Sequence, residues 1–155
     1  MFWYFEELLY WYREALRRYV DFNGRDSRKA YWMLILSNSL IYLIVFYSEH
    51  LMGIGVPLLG TMHPVSRIYA VLTVVPLFAA KVRRLHDTGR SGWWVMLTLV
   101  PGAVVLAGYF KLMPLMVGAL LGFLLYLLGA VVLTVFLTRG SQRGKNRYGP
   151  QPKAY

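Results

Sequence analysis

The sequence predicts an all-α membrane protein in which four transmembrane helices follow an amphipathic interfacial helix, with both termini in the cytoplasm. Of the 155 residues, 57% are hydrophobic and only 15% are charged, and the mean hydropathy is +0.45. A soluble domain has about 25% charged residues. In addition, the apolar residues fall into four runs long enough to cross a bilayer, and most Lys and Arg residues lie on one side of these runs.

Residues 1–22 form the first predicted segment, an amphipathic helix rich in aromatic side chains. Its apolar residues recur at spacings of three and four, at Phe5, Leu8, Leu9, Tyr12, Leu16 and Tyr19. Such a helix either lies at the membrane surface, where Trp and Tyr rings suit the headgroup region, or packs on the cytoplasmic face of the helical bundle. The pattern alone favours neither interpretation.

Residues 23–138 form the predicted transmembrane domain. The first span has 17 uncharged residues, about 26 Å of helix, which crosses a hydrocarbon core of roughly 30 Å when its ends reach the interface. The second contains Arg67 and Pro76 and is the weakest of the set. Arg67 lies one turn inside that span, where its long stem reaches the headgroups. The four spans are expected at residues 31–47, 64–80, 93–110 and 112–137.

Proline residues mark the third span and its connection to the fourth. Pro101 lies near the middle of the third span and predicts a kink there. Lys111, Met113 and Pro114 form the short hinge that follows. The third and fourth spans are therefore expected to form a tight helical hairpin.

The placement of Lys and Arg predicts the orientation of the chain. The first 30 residues contain six, the loop after the second span contains four, and the tail, residues 139–155, contains five. These 15 of the 17 cations lie on one side of the predicted spans, against Arg67 and Lys111 on the other. The positive-inside rule makes the basic side cytoplasmic. An even number of spans also places both termini there.

Six cations are expected to converge at the cytoplasmic ends of the first three helices. A ring of this kind attracts anionic lipid headgroups, and the guanidinium group matches phosphate geometry. The alternative interpretation is that these cations only set the topology. Asp21, Asp26 and Asp87 are the acids that could join them in a salt-bridge network. The six cations are Arg25, Arg28, Lys29, Arg83, Arg84 and Arg90.

The segment from Arg83 to Trp94 is the most unusual local sequence. Gly89 permits a left-handed turn and Ser91 can cap the third span. Two residues remain unexplained by this structural account, His86 and Asp87, which could form an imidazole–carboxylate pair near the headgroups. The sequence shows no second carboxylate or Ser nucleophile nearby. The residues expected to anchor helices at the interface are Trp32, Trp93 and Trp94.

The fourth span has a face of small residues formed by Gly118, Gly122 and Gly129. Small residues let two helix backbones approach closely. This face is therefore expected to pack against another helix, either within the chain or in a neighbouring subunit.

No resident cofactor or metal is expected. His50 and His63, with Glu49, could ligate a metal, and one imidazole could ligate a haem or a pigment, but the histidines lack helical i, i+4 spacing. The chain contains no Cys, which excludes thiolate metal sites and thiol nucleophiles. The net charge of +10 would suggest nucleic acid as the partner of a soluble protein. Because the charge flanks apolar spans, no nucleic-acid partner is expected.

Three motifs resemble a known family. Asn23-Gly24-Arg25, Ser27-Arg28 and Tyr31-Trp32 precede the first span, RRLHDTGRSGWW follows the second, and Asn146-Arg147-Tyr148-Gly149-Pro150 with Pro152 lies in the tail. These motifs are similar to those of the bacterial inner-membrane family named domain of unknown function 805, over about residues 19 to 153. Members often have an acid just before the Tyr-Trp pair, where this sequence has Ala30. The resemblance implies a small multi-span inner-membrane protein without an assigned activity.

These observations predict a non-catalytic membrane protein. Its expected partners are anionic lipids and other membrane-protein subunits, as an accessory or scaffolding subunit of a larger complex. The alternative is a small-solute or ion permease formed by an oligomer. A third hypothesis is a lipid-headgroup enzyme that uses His86 and Asp87.

Overall fold

The computed structural model of the protein describes residues 2–54, 63–109 and 115–152. Within these ranges the regular structure is helical, apart from one isolated antiparallel bridge between Asn146 and Gly149. The all-helical fold class is thus confirmed for the described residues. The elements in chain order are α1 (Phe2–Arg17), α2 (Arg28–Leu51), α3 (Pro64–Asp87), a 3₁₀ helix (Gly92–Val95), α4 (Met96–Tyr109) and α5 (Leu115–Thr138).

Three helices in the described part of the chain, α2, α3 and α5, are long and apolar enough to cross a membrane. Each has 24 residues, about 36 Å of helix against a hydrocarbon core of about 30 Å. The predicted spans 31–47 and 64–80 lie inside α2 and α3. Both helices extend beyond these spans because an apolar run marks only the hydrocarbon depth, whereas the backbone hydrogen bonds continue into polar residues.

The third predicted span, residues 93–110, is not one long α-helix. The chain begins there as the 3₁₀ helix Gly92–Val95, capped by Ser91, whose Oγ accepts a hydrogen bond from the Trp93 N–H at 3.3 Å. The α-helical part, α4, has only 14 residues, fewer than the roughly 20 of a typical span. The predicted hinge at residues 111–114 lies outside the described residues.

The described residues form two compact units. The first contains α1, α2 from Lys29 onward and α3 as far as Ala80. The second contains Asn23–Arg28 and the chain from Lys81 onward. The helices α2 and α3 therefore each contribute to both units.

In the first unit, α1 packs against α2 and α3. The Ser37 hydroxyl of α2 donates a hydrogen bond to the Leu8 carbonyl at 3.0 Å. The hydroxyls of Tyr12 in α1 and Tyr69 in α3 lie 3.1 Å apart, and Glu7 forms an ion pair with Lys29. Of the two interpretations of residues 1–22, packing on other helices is the one for which the structure shows contacts.

In the second unit, α4 and α5 form a close helical pair. A Cβ at Gly129 would overlap the carbonyl oxygen of Leu97, and one at Gly122 would lie 3.0 Å from the carbonyl oxygen of Pro101. Gly118 is also buried. The structure thus places Gly122 and Gly129 against α4 of the same chain.

Candidate functional site

The strongest concentration of polar side chains in the second unit surrounds Asp87, at the end of α3. Its side chain is 0% exposed. The carboxylate accepts hydrogen bonds from Arg25 Nε at 3.1 Å, from Arg84 Nη1 and from Ser141 Oγ at 2.5 Å. A buried carboxylate is tolerated only when it is paired and hydrogen-bonded in this way. We call Asp87 and its contacts the Asp87 cluster.

Arg25 connects the Asp87 cluster to the C-terminal tail. Its guanidinium donates to the backbone carbonyls of Gln142 at 2.5 Å, Gly144 at 2.7 Å and Gly149 at 3.2 Å. Arginine is suited to this role because its planar group carries five N–H donors in a fixed fork. One side chain from the segment before α2 therefore holds three points of the tail.

Arg83 and Arg84 complete the cluster on α3. Arg83 Nε donates to Asp26 Oδ2 at 2.8 Å, and the Asp26 N–H donates to the Arg83 carbonyl at 3.2 Å. Arg84 Nε donates to the Leu137 carbonyl at 3.0 Å, and its Nη2 donates to the Arg139 carbonyl. The last carbonyls of a helix lack partners within it and carry partial negative charge, so a cation there stabilises the end of α5.

His86 binds the tail through its ring and its backbone. The imidazole stacks on Tyr148, with ring centroids 3.7 Å apart and planes inclined by 5°. Its Nδ1 lies 3.2 Å from the Gly24 carbonyl. Asn146 donates from its side chain to the His86 carbonyl at 2.9 Å. The tail motif Asn146–Pro150 is therefore a docking element that recognises the end of α3.

A close turn follows α3 and requires glycine. Gly89 has φ 76°, the left-handed conformation predicted for it. A Cβ at this position would also lie 2.6 Å from Oε1 of Gln142. The Gln142 N–H in turn donates to the Asp87 carbonyl at 2.9 Å. The turn and the tail are thus in direct contact.

The structure does not bring the six cations of the predicted headgroup ring together at one surface. Arg25, Arg83 and Arg84 are buried and bound to carboxylates and carbonyl oxygens, so they are not available to lipid headgroups. The reason is that the two aspartates and the carbonyl oxygens of the tail accept hydrogen bonds from these arginines in the interior of the unit. Lys29 belongs to the first unit and pairs with Glu7. Arg28 and Arg90 remain at the surface of the second unit, exposed and half-buried, respectively.

The predicted His86–Asp87 pair is not formed. Asp87 binds two arginines and Ser141, whereas the His86 ring stacks on Tyr148 and approaches the Gly24 carbonyl. Adjacent positions on a helix are rotated by about 100°, so these side chains face different partners.

Near the other end of α2, Glu49 has a role that the sequence analysis missed. Its buried carboxylate accepts hydrogen bonds from the backbone N–H groups of Val65 at 2.7 Å and Ser66 at 2.9 Å. Glu49 thus binds the first turn of α3, where free N–H groups and the helix dipole favour an anion. The His50 and His63 rings lie 6.0 Å apart. Among the described residues no group of three metal-ligating side chains was found.

The three predicted interface anchors all lie at the surface. Trp93 is 76% exposed, Trp94 is 42% exposed and Trp32 is 38% exposed. Such rings suit the polar–apolar boundary of a membrane.

Comparisons with known proteins agree with the motifs. Residues 19–150 match the profile of a family described as "Protein of unknown function (DUF805)". The chain is 34% identical to inner membrane protein YhaI of Escherichia coli (strain K12) over 143 residues, which cover 92% of this chain and 95% of that protein. It is 32% identical to inner membrane protein YhaH of the same organism, over 92% and 96% of the two chains. No solved structure matches the chain.

Proposed function

The chain belongs to the DUF805 family, and from this premise we propose that it is a non-catalytic protein of the bacterial inner membrane that binds anionic lipid headgroups. The main support for this proposal is the distribution of charge in the second unit. Its aspartate carboxylates are paired with arginines, and other cations remain at the surface.

The second unit contains two acidic residues, Asp26 and Asp87. Both are bound by arginines, Asp87 by Arg25 and Arg84 and Asp26 by Arg83. The remaining cations therefore have no carboxylates of this unit to neutralise them. The exposed cations of the described part of the tail are Arg139, Arg143, Lys145 and Arg147.

A basic surface of this kind attracts an anionic membrane. Each Lys or Arg close to an acidic lipid surface contributes about 1 kcal/mol. The Asp87 cluster holds the tail at the end of α3 by binding Gln142, Gly144 and Gly149. Trp93 and Trp94, which favour the headgroup layer, follow α3 in the sequence and belong to the same unit.

We propose four membrane crossings with both termini in the cytoplasm. The 3₁₀ helix Gly92–Val95 and α4 follow each other directly, and together they are about 29 Å long, close to the thickness of the hydrocarbon core. With α2, α3 and α5 they would make an even number of crossings. The positive-inside rule then orients the basic tail toward the cytoplasm.

The contacts of His86 and Asp87 support a non-catalytic role. A general acid or base needs a proton-transferring atom within reach of substrate. Asp87 is fully buried behind arginines, and the His86 ring is covered by Tyr148 on one face. Both side chains have structural contacts that account for their presence.

We further propose that the protein acts as an accessory or scaffolding subunit. In α1, Trp3 is 85% exposed, Tyr4 is 73% exposed and Phe5 is 61% exposed. Exposed aromatic side chains in one continuous stretch are typical of interaction surfaces. This end of α1 is therefore the surface proposed to contact another membrane protein.

Lipid-dependent thermal stability tests the lipid-binding proposal. Purified protein in mixed micelles is expected to show a higher Tm as phosphatidylglycerol replaces phosphatidylcholine, because anion binding to the native state stabilises it. Changing Arg139, Arg143, Lys145 and Arg147 together to Gln should remove most of this shift. The matched control changes the three arginines to Lys and retains the charge. Equal Tm shifts in the Gln variant and the wild type would contradict the proposal.

A further inference from the structure

An apolar groove of about 580 Å³ lies between α4 and α5. Its volume falls within the range of roughly 300–1,000 Å³ that is typical of ligand sites. Its lining runs from Met96 to Pro101 in α4 and from Leu125 to Val132 in α5, about 8 Å and about 11 Å along the two helices. Its lining is apolar except for the two indole N–H groups, and it includes Trp94, Leu97, Val100, Leu125, Leu128 and Val132.

A cation lies next to one end of this groove. Trp94, which lines the groove, makes an edge-to-face contact with Phe136 at 5.1 Å between ring centroids. The Arg90 guanidinium lies 4.0 Å from the centroid of the same Phe136 ring. Phe136 is one helical turn beyond Val132, which also lines the groove. The positive charge therefore adjoins the end that is bordered by tryptophan.

Arg90 is not neutralised within its unit. Asp26 and Asp87 are bound to Arg25, Arg83 and Arg84. Partial burial, and after it the nearby Arg139 cation, lower the pKa of Arg90. Two guanidinium groups close together without a carboxylate between them favour an anion at the same place.

We propose that Arg90 and the α4–α5 groove form a binding site for one anionic phospholipid, with the phosphate on Arg90 and an acyl chain along the groove. This site depends on the proposed affinity for anionic lipid and gives it a defined location. The arrangement matches the ligand at both ends, a cation for the phosphate and an apolar channel for the chain. The exposed indole of Trp93 places this end at the headgroup level.

The charge of the site selects the class of lipid. A zwitterionic headgroup brings its own ammonium group next to Arg90 and Arg139, where it would be repelled. A phosphatidylglycerol headgroup carries only the negative charge. A tighter interaction with phosphatidylglycerol than with phosphatidylcholine is therefore expected at this site.

Native mass spectrometry of the full chain, released from micelles containing either phosphatidylglycerol or phosphatidylcholine, tests the site. Wild-type protein should retain one phosphatidylglycerol molecule. Arg90→Gln should bind it about tenfold more weakly because the charge-assisted contact is lost. Leu128→Trp should also reduce retention by filling the groove. The matched controls are Arg13→Gln, an exposed cation of α1, and Leu124→Trp, an exposed residue of α5 outside the groove lining.

The outcomes separate this site from the general proposal. If the wild type retains phosphatidylglycerol and both Arg90→Gln and Leu128→Trp retain it equally well, the site is wrong although the lipid affinity stands. The same conclusion follows if Arg13→Gln weakens retention as much as Arg90→Gln does. If the wild type shows no preference for phosphatidylglycerol over phosphatidylcholine, both the site and the proposed function are contradicted.

Discussion

The guanidinium of Arg25 and the carboxylate of Asp87 form an ion pair with Nε and Oδ1 3.1 Å apart, across 62 residues of sequence. Both side chains are almost fully buried, at 1% and 0% exposure. Because Arg25 also binds the tail carbonyls, this pair joins the segment before α2, the end of α3 and the C-terminal tail. We regard it as the central structural contact of the second unit.

Removing the Asp87 charge should strongly destabilise the protein. Asp87→Ala leaves Arg25 and Arg84 buried without a counter-charge, which costs about 3–5 kcal/mol for a buried ion pair. Thermal unfolding in detergent should show a large fall in Tm. Asp21→Asn is the control, since the Asp21–Arg18 pair is partly exposed and is expected to contribute less than about 1 kcal/mol. Similar losses in both variants would contradict the role of Asp87.

Arg25→Lys should release the tail even though it preserves the charge. A lysine ammonium cannot bridge Asp87 and three separate carbonyls as the planar guanidinium does. Trypsin should therefore cleave the tail, after Arg143 or Lys145, about tenfold faster than in the wild type, because local opening becomes more frequent. Arg13→Lys in α1 is the matched control, with wild-type cleavage of the tail expected. Unchanged proteolysis of Arg25→Lys would show that other contacts suffice.

The role of His86 can be tested by keeping an aromatic ring at this position while removing the ring nitrogens. His86→Phe preserves the stack on Tyr148 and should stay close to wild-type stability, whereas His86→Ala should lose about 0.5–1.5 kcal/mol of aromatic contact. Measured Tm values should follow this order. The opposite pattern, with Phe as damaging as Ala, would indicate that the contact of the His86 Nδ1 with the Gly24 carbonyl contributes more to stability than the ring stack.

Close packing of α4 on α5 predicts a position-dependent effect of alanine. Gly129→Ala places a methyl group on the Leu97 carbonyl oxygen and forces the helices apart, at a cost of about 1–3 kcal/mol. Gly102→Ala, in α4, meets no atom within 4 Å and should be neutral or stabilising by up to about 1 kcal/mol through helix propensity. The difference in Tm between these two variants is the measurement. Equal effects would contradict the close packing.

The long helices were predictable from the sequence because hydrocarbon imposes a simple requirement. A span needs an unbroken apolar run and satisfies its own backbone, so hydropathy locates α2, α3 and α5. The turn after α3 was also predictable, because glycine and serine have strong local preferences at turns and helix caps. Gly89 adopts the expected positive φ, and Ser91 caps the helix that follows.

The aspartate partners of the buried arginines were among the acids that the sequence suggested, but their carbonyl partners were not predictable. The sequence shows that Arg25 and Arg84 carry charge, but not that they donate hydrogen bonds to carbonyl oxygens of a tail more than 50 residues away. Periodicity likewise gives no distance between His86 and Tyr148. The tail motif Asn146–Pro150 was the one signal that could have revealed the contact, since its turn residues indicate a defined structure at the end of the chain.

Cysteine labelling in intact cells tests the proposed four-span topology most directly, because the natural chain contains no Cys. Single cysteines are placed at three exposed positions, Trp3, Met52 and Arg143. A membrane-impermeant maleimide should label Met52→Cys from outside the inner membrane, and should label Trp3→Cys and Arg143→Cys only after the membrane is permeabilised. Labelling of Arg143→Cys in intact cells, on the same side as Met52→Cys, would contradict the proposed topology.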